Sequence, residues 1–155
     1  MANIDAAFGL RPVRQLGSMP FNTATAADSV GVFNGCFYTD PTSKKPTWSN
    51  YYPGSVTASD IVAFVFDDPD LTFEIQSAGT VGTTAIGNNA DTEGVTGSTI
   101  NGQSTMELSG TVAATTAQMR IVGLSKDPDN SDVATANSNW YVIFNEHAYK
   151  TTAGT

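Results

Sequence analysis

Residues 60–76 read DIVAFVFDDPDLTFEIQ, and their two halves follow different rules. Ile61 to Phe66 is an unbroken apolar run, the pattern of a strand covered on both faces. Beyond it, Leu71, Phe73 and Ile75 alternate with Thr72, Glu74 and Gln76, the pattern of a strand with one buried and one wet face. The DDPD between them has turn chemistry. Proline presets φ at the second position of a type I turn, Asp at the first accepts a backbone hydrogen bond, and Asp tolerates the third. The stretch therefore predicts two strands joined as a hairpin. A related cluster, KDPDN at 126–130, follows the apolar stretch AQMRIVGLS and predicts a second turn.

Working outward, the same grammar recurs. VGVFNGCFYTD (30–40) is β-branched and aromatic, with Gly35 inside it and Asp40-Pro41 ending it. PTWSNYYPG (46–54) is aromatic and bounded by proline and glycine. GTVGTTAIGNNADTEGVTGSTING (79–102) is rich in glycine and hydroxyl groups and predicts one or two short strands with long loops. STMELS (104–109) sets Met106 and Leu108 on one face. NWYVIFNEH (139–147) alternates Trp140, Val142 and Phe144 against Tyr141 and Ile143. TVAATTAQM (111–119) is the best helix candidate, but its threonines and missing cap argue against it. Seven to nine short strands predict an all-β domain over 29–155, a small antiparallel sandwich or barrel.

Residues 1–28 predict an extended arm. Pro12, Pro20, Gly9 and Gly17 break any lasting period, yet Phe8, Leu10, Val13, Leu16, Met19 and Phe21 are apolar. Arg11 and Arg14 are two of the chain's three arginines. Polar, disordered termini lack such anchors. Phe8, Leu10, Arg11, Pro12, Val13, Arg14 and Leu16 are therefore the candidate residues for contact with a partner chain, against the alternative that the arm packs on its own domain.

Charge narrows the function classes. The 155 residues carry a net charge of −8 and only 14% charged residues. No Lys or Arg lies between Pro46 and Met119, while Asp60, Asp67, Asp68, Asp70, Glu74, Asp91, Glu93 and Glu107 do. Such a body repels nucleic acid and anionic membranes, and no basic patch offers either a footing. No stretch reaches the roughly 20 apolar residues of a membrane span, and the N-terminus lacks the apolar segment of a signal peptide. Cys36 is the only cysteine, which excludes an internal disulfide and suits a reducing compartment.

Catalytic constellations are not assembled. The one histidine, His147, has no partner at metal-ligand spacing, and Cys36 is remote in sequence. Asp67, Asp68 and Asp70 share one loop, the wrong source for two carboxylates facing each other across a sugar. Neither acidic cluster has the ligand spacing of a helix–loop–helix calcium site, although Asp127, Asp129, Asn130 and Asp132 come nearer to it. No cofactor is expected. Trp48, Tyr51 and Tyr52 are of the type that stacks on sugar rings, with core or interface packing as the competing account.

Several stretches together resemble a family of small structural proteins of tailed bacteriophages, whose genes typically lie beside that of the major capsid protein. They are MANIDAAFGLRPVRQLGS, GVFNGCFYTDPTSKKPTWSNYYPGS, DIVAFVFDDPDLTFEIQ, TTAQMRIVGLSKDPDN and the terminal YVIFNEHAYK. They span most of the chain, and FG-RPVR with DDPD is the most specific part. One departure is that only MPFNTATAADSV separates the arm from GVF-G-FYTD, a shorter segment than is usual in that family. The resemblance implies a virion protein without enzyme activity. More narrowly, it implies a capsid decoration or cement protein, made in the host bacterial cytoplasm and bound to the outside of the head. Its partner would be the major capsid protein, and its state a symmetric homo-oligomer, a trimer before a dimer. A head–tail or tail component and a glycan-binding β domain on the virion surface are the alternatives.

Overall fold

The computed structural model describes residues 11–12, 20–22, 29–54, 56–94, 97–98, 101–113 and 115–150. Among them are the strands β1 (Arg11–Pro12), β2 (Pro20–Asn22), β3 (Ser29–Thr39), β4 (Pro46–Ser49) and β5 (Val62–Phe66). They continue with β6 (Phe73–Gln76), β7 (Asn89–Glu93), β8 (Glu107–Ala113), β9 (Met119–Leu124) and β10 (Asn139–Phe144). The only helical element described is a single 3-10 turn, Thr83–Ala85. Of the helix candidate at 111–119, residues 111–113 end β8, Met119 begins β9, and none of the described residues between them is helical.

The protein is an all-β sandwich of two antiparallel sheets. The larger runs β1-β6-β10-β9-β7-β8. It curls far enough that its edge strand β8 meets the residue after β6, through the bridge Ser77–Leu108 and a 2.9 Å hydrogen bond from Ala78 N–H to the Leu108 carbonyl. At that crossing Gly79 and Gly110 touch backbone to backbone; a Cβ on Gly110 would stand 2.9 Å from the Gly79 Cα. One bridge does not close a barrel, because β1 holds the edge of β6 that further pairing would need. The smaller sheet is built on β3. β5 pairs with Val32–Phe37 and overlaps both β2 and β4 in register, so β2 and β4 lie end to end on the opposite edge.

The core is the concave side of the larger sheet. Phe73 and Ile75 from β6, Trp140, Val142 and Phe144 from β10, Met119 and Ile121 from β9, Ala90 and Leu108 are all buried there. Each is the inward member of a period-2 alternation, and full burial of each large side chain contributes about 1.5–3 kcal/mol. Val81 and Ala85 close one side, and the smaller sheet supplies Val32, with Phe66 packed against it. The core stops there. Past Val32 the smaller sheet continues as a wing.

The two halves of 60–76 exchange the places their patterns predict. β6, with its alternating pattern, is buried at every position, Glu74 and Gln76 included. It lies between β1 and β10, and Glu74 is accommodated by accepting a 2.6 Å hydrogen bond from the Ser125 hydroxyl. β5, the unbroken apolar run, is exposed at Val62, Ala63 and Phe64. Nor do the two strands form a hairpin: β5 pairs only with β3, β6 only with β1 and β10, and Asp67–Asp70 carries the chain from one sheet to the other.

The turn chemistry itself is as expected, twice over. The Asp68 carboxylate accepts the Asp70 N–H at 2.9 Å and the Asp68 carbonyl accepts Leu71 N–H at 3.3 Å. In the second turn the Asp127 carboxylate accepts Asp129 N–H at 3.0 Å and its carbonyl accepts Asn130 N–H at 3.3 Å. Asn139 Nδ2 donates to the other Asp127 oxygen at 3.0 Å and ties that turn to β10.

Of the expected arm, only two backbone pieces fall among the described residues. Arg11–Pro12 forms β1, opposite Glu74 and Phe73 on the edge of β6, and Pro20–Asn22 forms β2, opposite Ser29–Val32. The candidate partner residues Phe8, Leu10, Val13, Arg14 and Leu16 lie outside the described residues.

Candidate partner-binding face

The wing presents an apolar outer face. In antiparallel pairs, residues directly opposite share a face. Phe37 lies opposite Trp48 on β4 and opposite Val62 on β5, and Gly35 lies opposite Phe64. Trp48, Val62 and Phe64 are 48%, 53% and 45% exposed and Phe37 is 41% exposed, although residues of these types are normally buried. The Trp48 and Phe64 rings meet across the strand at 5.1 Å between centroids, tilted by 53°. Trp48 packs over Gly35: a Cβ there would stand 2.6 Å from the indole Cζ2, and the backbone has φ of +142°. Only glycine suits both demands. The indole N–H donates to Asn50 Oδ1 at 2.8 Å, which fixes the ring outward.

The opposite side of the wing is filled. Cys36 and Tyr38 are buried, and the Cys36 thiol lies 3.6 Å from the Tyr51 carbonyl, which also accepts the Ser49 hydroxyl. Burial pushes the Cys36 thiol above its ordinary pKa, which favours the protonated form. Gly102 lies against Tyr51, which leaves no room there for a Cβ. Of the three candidate sugar-stacking aromatics, Tyr51 is therefore half-buried packing, while Trp48 and Tyr52 are exposed.

At the wing's tip a shallow depression of ≈ 380 Å³ lies between Thr39–Pro41, Lys44 and Thr57–Asp60. Its carboxylates are already committed to backbone. Asp40 accepts Ser43 N–H at 2.8 Å and Thr42 N–H at 2.7 Å, and both Asp60 oxygens accept Thr39 N–H at 3.2 Å. Hydrogen bonding holds both acids below the usual carboxylate range, for Asp60 from the Thr39 side chain first and then its backbone, and for Asp40 from the Ser43 and Thr42 backbone.

His147 stands elsewhere, under the start of β3. It is fully buried between the rings of Phe144 and Tyr149, at 5.2 Å from each. It bridges to Ser29, seven positions before Cys36, so roughly 20 Å of strand separates the two and they do not form a dyad. Its Nδ1 accepts Tyr149 N–H at 3.1 Å, which places the neutral ring's proton on Nε2. Burial holds its pKa below the ordinary value, and the Lys150 ammonium pushes the same way; the Val30 backbone and Asp67 and Asp68 oppose them. The native state thus refuses a proton that the unfolded chain accepts near pH 6.5, so stability is full above that pH and falls as pH drops through the folded pKa. Thermal melts should show a flat Tm above about pH 7 and a decline below about pH 6.5, at no more than about 1.4 kcal/mol per pH unit for this one proton. His147→Gln should flatten the part of the decline above pH 5; an unchanged slope would contradict this assignment.

Among the described residues, no three His, Cys, Asp or Glu side chains group closely enough to hold a metal ion, and no helix is long and apolar enough to cross a membrane. The sequence missed Phe37, Val62 and Phe64 as surface residues because their pattern is that of core. Comparison with protein-family models, with curated proteins and with solved structures gives no match.

Proposed function

We propose that this chain is a capsid decoration protein of a tailed bacteriophage, which binds the outer surface of the head and stabilises contacts between major capsid protein subunits. The observation that carries the reading beyond the sequence resemblance is the wing: four large apolar side chains held outward on a rigid two-sided sheet. Contiguous exposed apolar surface on a small domain marks a site of association. The acidic, charge-poor body suits contact with protein rather than with nucleic acid. Arg11 and Arg14 of the arm bring basic groups that can pair with carboxylates of the shell. Many copies around the symmetry axes of a head, as trimers or dimers, convert modest contacts into avidity.

The test is to count copies. Purified chain added to heads lacking it should co-sediment at hundreds of copies per particle and raise the temperature at which heads release DNA. Saturation at tens of copies or fewer would point to a tail or head–tail component, and no binding would refute the reading. A glycan-binding role is the second reading, favoured only by the exposure of Trp48 and Tyr52. A glycan array with no hit for the chain removes it.

A further inference from the structure

The wing has a free edge as well as a face. β5 pairs with β3 through Val62–Phe66, and its other edge makes no backbone hydrogen bond to any described residue. Edge strands that stay monomeric are blunted by lysine, proline or a bulge within the strand. β5 has no lysine or proline, and the irregularity in its pairing, between Phe33 and Gly35, puts its extra residue on β3; its five residues VAFVF are all apolar, and all but Ala63 are strongly β-forming. Among the described residues, about 17 Å of ladder on this edge is thus left without a backbone partner beside an apolar face.

Charge decides what fits it. Asp67 and Asp68 follow the strand directly and are exposed, and Asp60 precedes it. Asp70 has its own cation, Lys150, at 3.1 Å, whereas among the described residues Asp67 receives the Tyr149 hydroxyl, at 3.5 Å, and no cation. A second copy pairing antiparallel about Phe64 would set Asp68 of one chain against Asp60 of the other, so self-pairing is opposed. An apolar strand ending in Lys or Arg is favoured at the same place.

We propose that β5 is the acceptor edge for strand addition by another protein, which lays an extended segment along Val62–Phe66, with apolar residues at alternate positions and a basic residue against Asp67–Asp68. The added strand widens the smaller sheet, and those of its alternate side chains that share the outer face extend the patch of Phe37, Trp48, Val62 and Phe64. Main-chain bonds give affinity, and the acidic end sets orientation. The inference rests on the decoration reading only for the identity of the donor, which would then be a segment of the shell.

The test uses the full chain and a short fluorescent peptide of alternating valine and threonine with two arginines at each end. Two controls replace the arginines by glutamates or methylate alternate backbone nitrogens. The arginine peptide should bind and slow amide exchange at Val62–Phe66 but not at Pro46–Ser49. Asp67→Lys should weaken it at least tenfold, and both controls should fail. Equal binding by the methylated peptide, protection elsewhere than β5, or no binding overturns the inference, as does self-association of the chain through β5. Head binding measured in parallel separates the two proposals. Heads that bind the chain while the peptide neither binds nor competes refute the edge and leave decoration standing; a chain that binds peptide but not heads does the reverse.

Discussion

Serine at both Trp48 and Phe64 is expected to weaken binding of the chain to phage heads at least a hundredfold while the domain stays folded. Aromatic anchors dominate the energetics of association, commonly at 2 kcal/mol or more each when truncated, and two such losses exceed a hundredfold, about 2.7 kcal/mol. The folded state loses little, because both rings are about half exposed and what is removed lies on the outer face: their contact with each other, the packing of Trp48 on Gly35 and its hydrogen bond to Asn50. Such ring pairs contribute about 0.5–1.5 kcal/mol. Co-sedimentation with heads reads the first effect, and a thermal melt the second. Undiminished binding by a folded double variant would remove the wing from the account.

Trp140→Ala is expected to destabilise the domain by about 3–5 kcal/mol, the usual cost of truncating a large core aromatic. Trp140 is fully buried on β10, between Ile75 of β6 and Leu124 of β9 in register. Its indole N–H donates to the Ser138 hydroxyl at 2.8 Å, which stands 3.1 Å from the Ser77 hydroxyl. The variant therefore opens a cavity at the centre of the larger sheet and takes a donor from a buried polar chain. Against a typical total of about 5–15 kcal/mol, this is a large fraction. Urea unfolding monitored by circular dichroism measures it, and a loss below about 1 kcal/mol would contradict the placement of the core.

The contrast between these variants marks what the sequence could and could not disclose. Met106 and Leu108 alternate with polar neighbours and share the buried face, and Trp140, Val142 and Phe144 share one face as their alternation with Tyr141 and Ile143 predicts, although only the structure says that this face is the inner one. Asp68 and Asp127 likewise announce their turns, because the turn is closed by local hydrogen bonds within four residues. What depends on distant chain was not legible. Glu74 is buried because Ser125, far along the sequence, supplies a hydrogen bond and β1 and β10 flank its strand. Val62 and Phe64 are exposed because, among the described residues, β5 has a neighbour on one edge only and nothing covers its outer face. A run of apolar residues reports that a strand avoids water, without saying whether its own domain or a partner does the covering. For the candidate site, Trp48 was visible as an aromatic in a loop-bounded strand, but its alignment with Phe37, Val62 and Phe64 exists only through the register of β3, β4 and β5.

The measurement that bears most directly on the proposed function is a density map of the intact particle carrying this chain. The account predicts copies in their hundreds on the outer surface of the head, with Phe37, Trp48, Val62 and Phe64 turned toward the shell and a strand of the capsid protein beside β5. Density for the chain confined to the tail, or heads decorated with that face open to solvent, would contradict it.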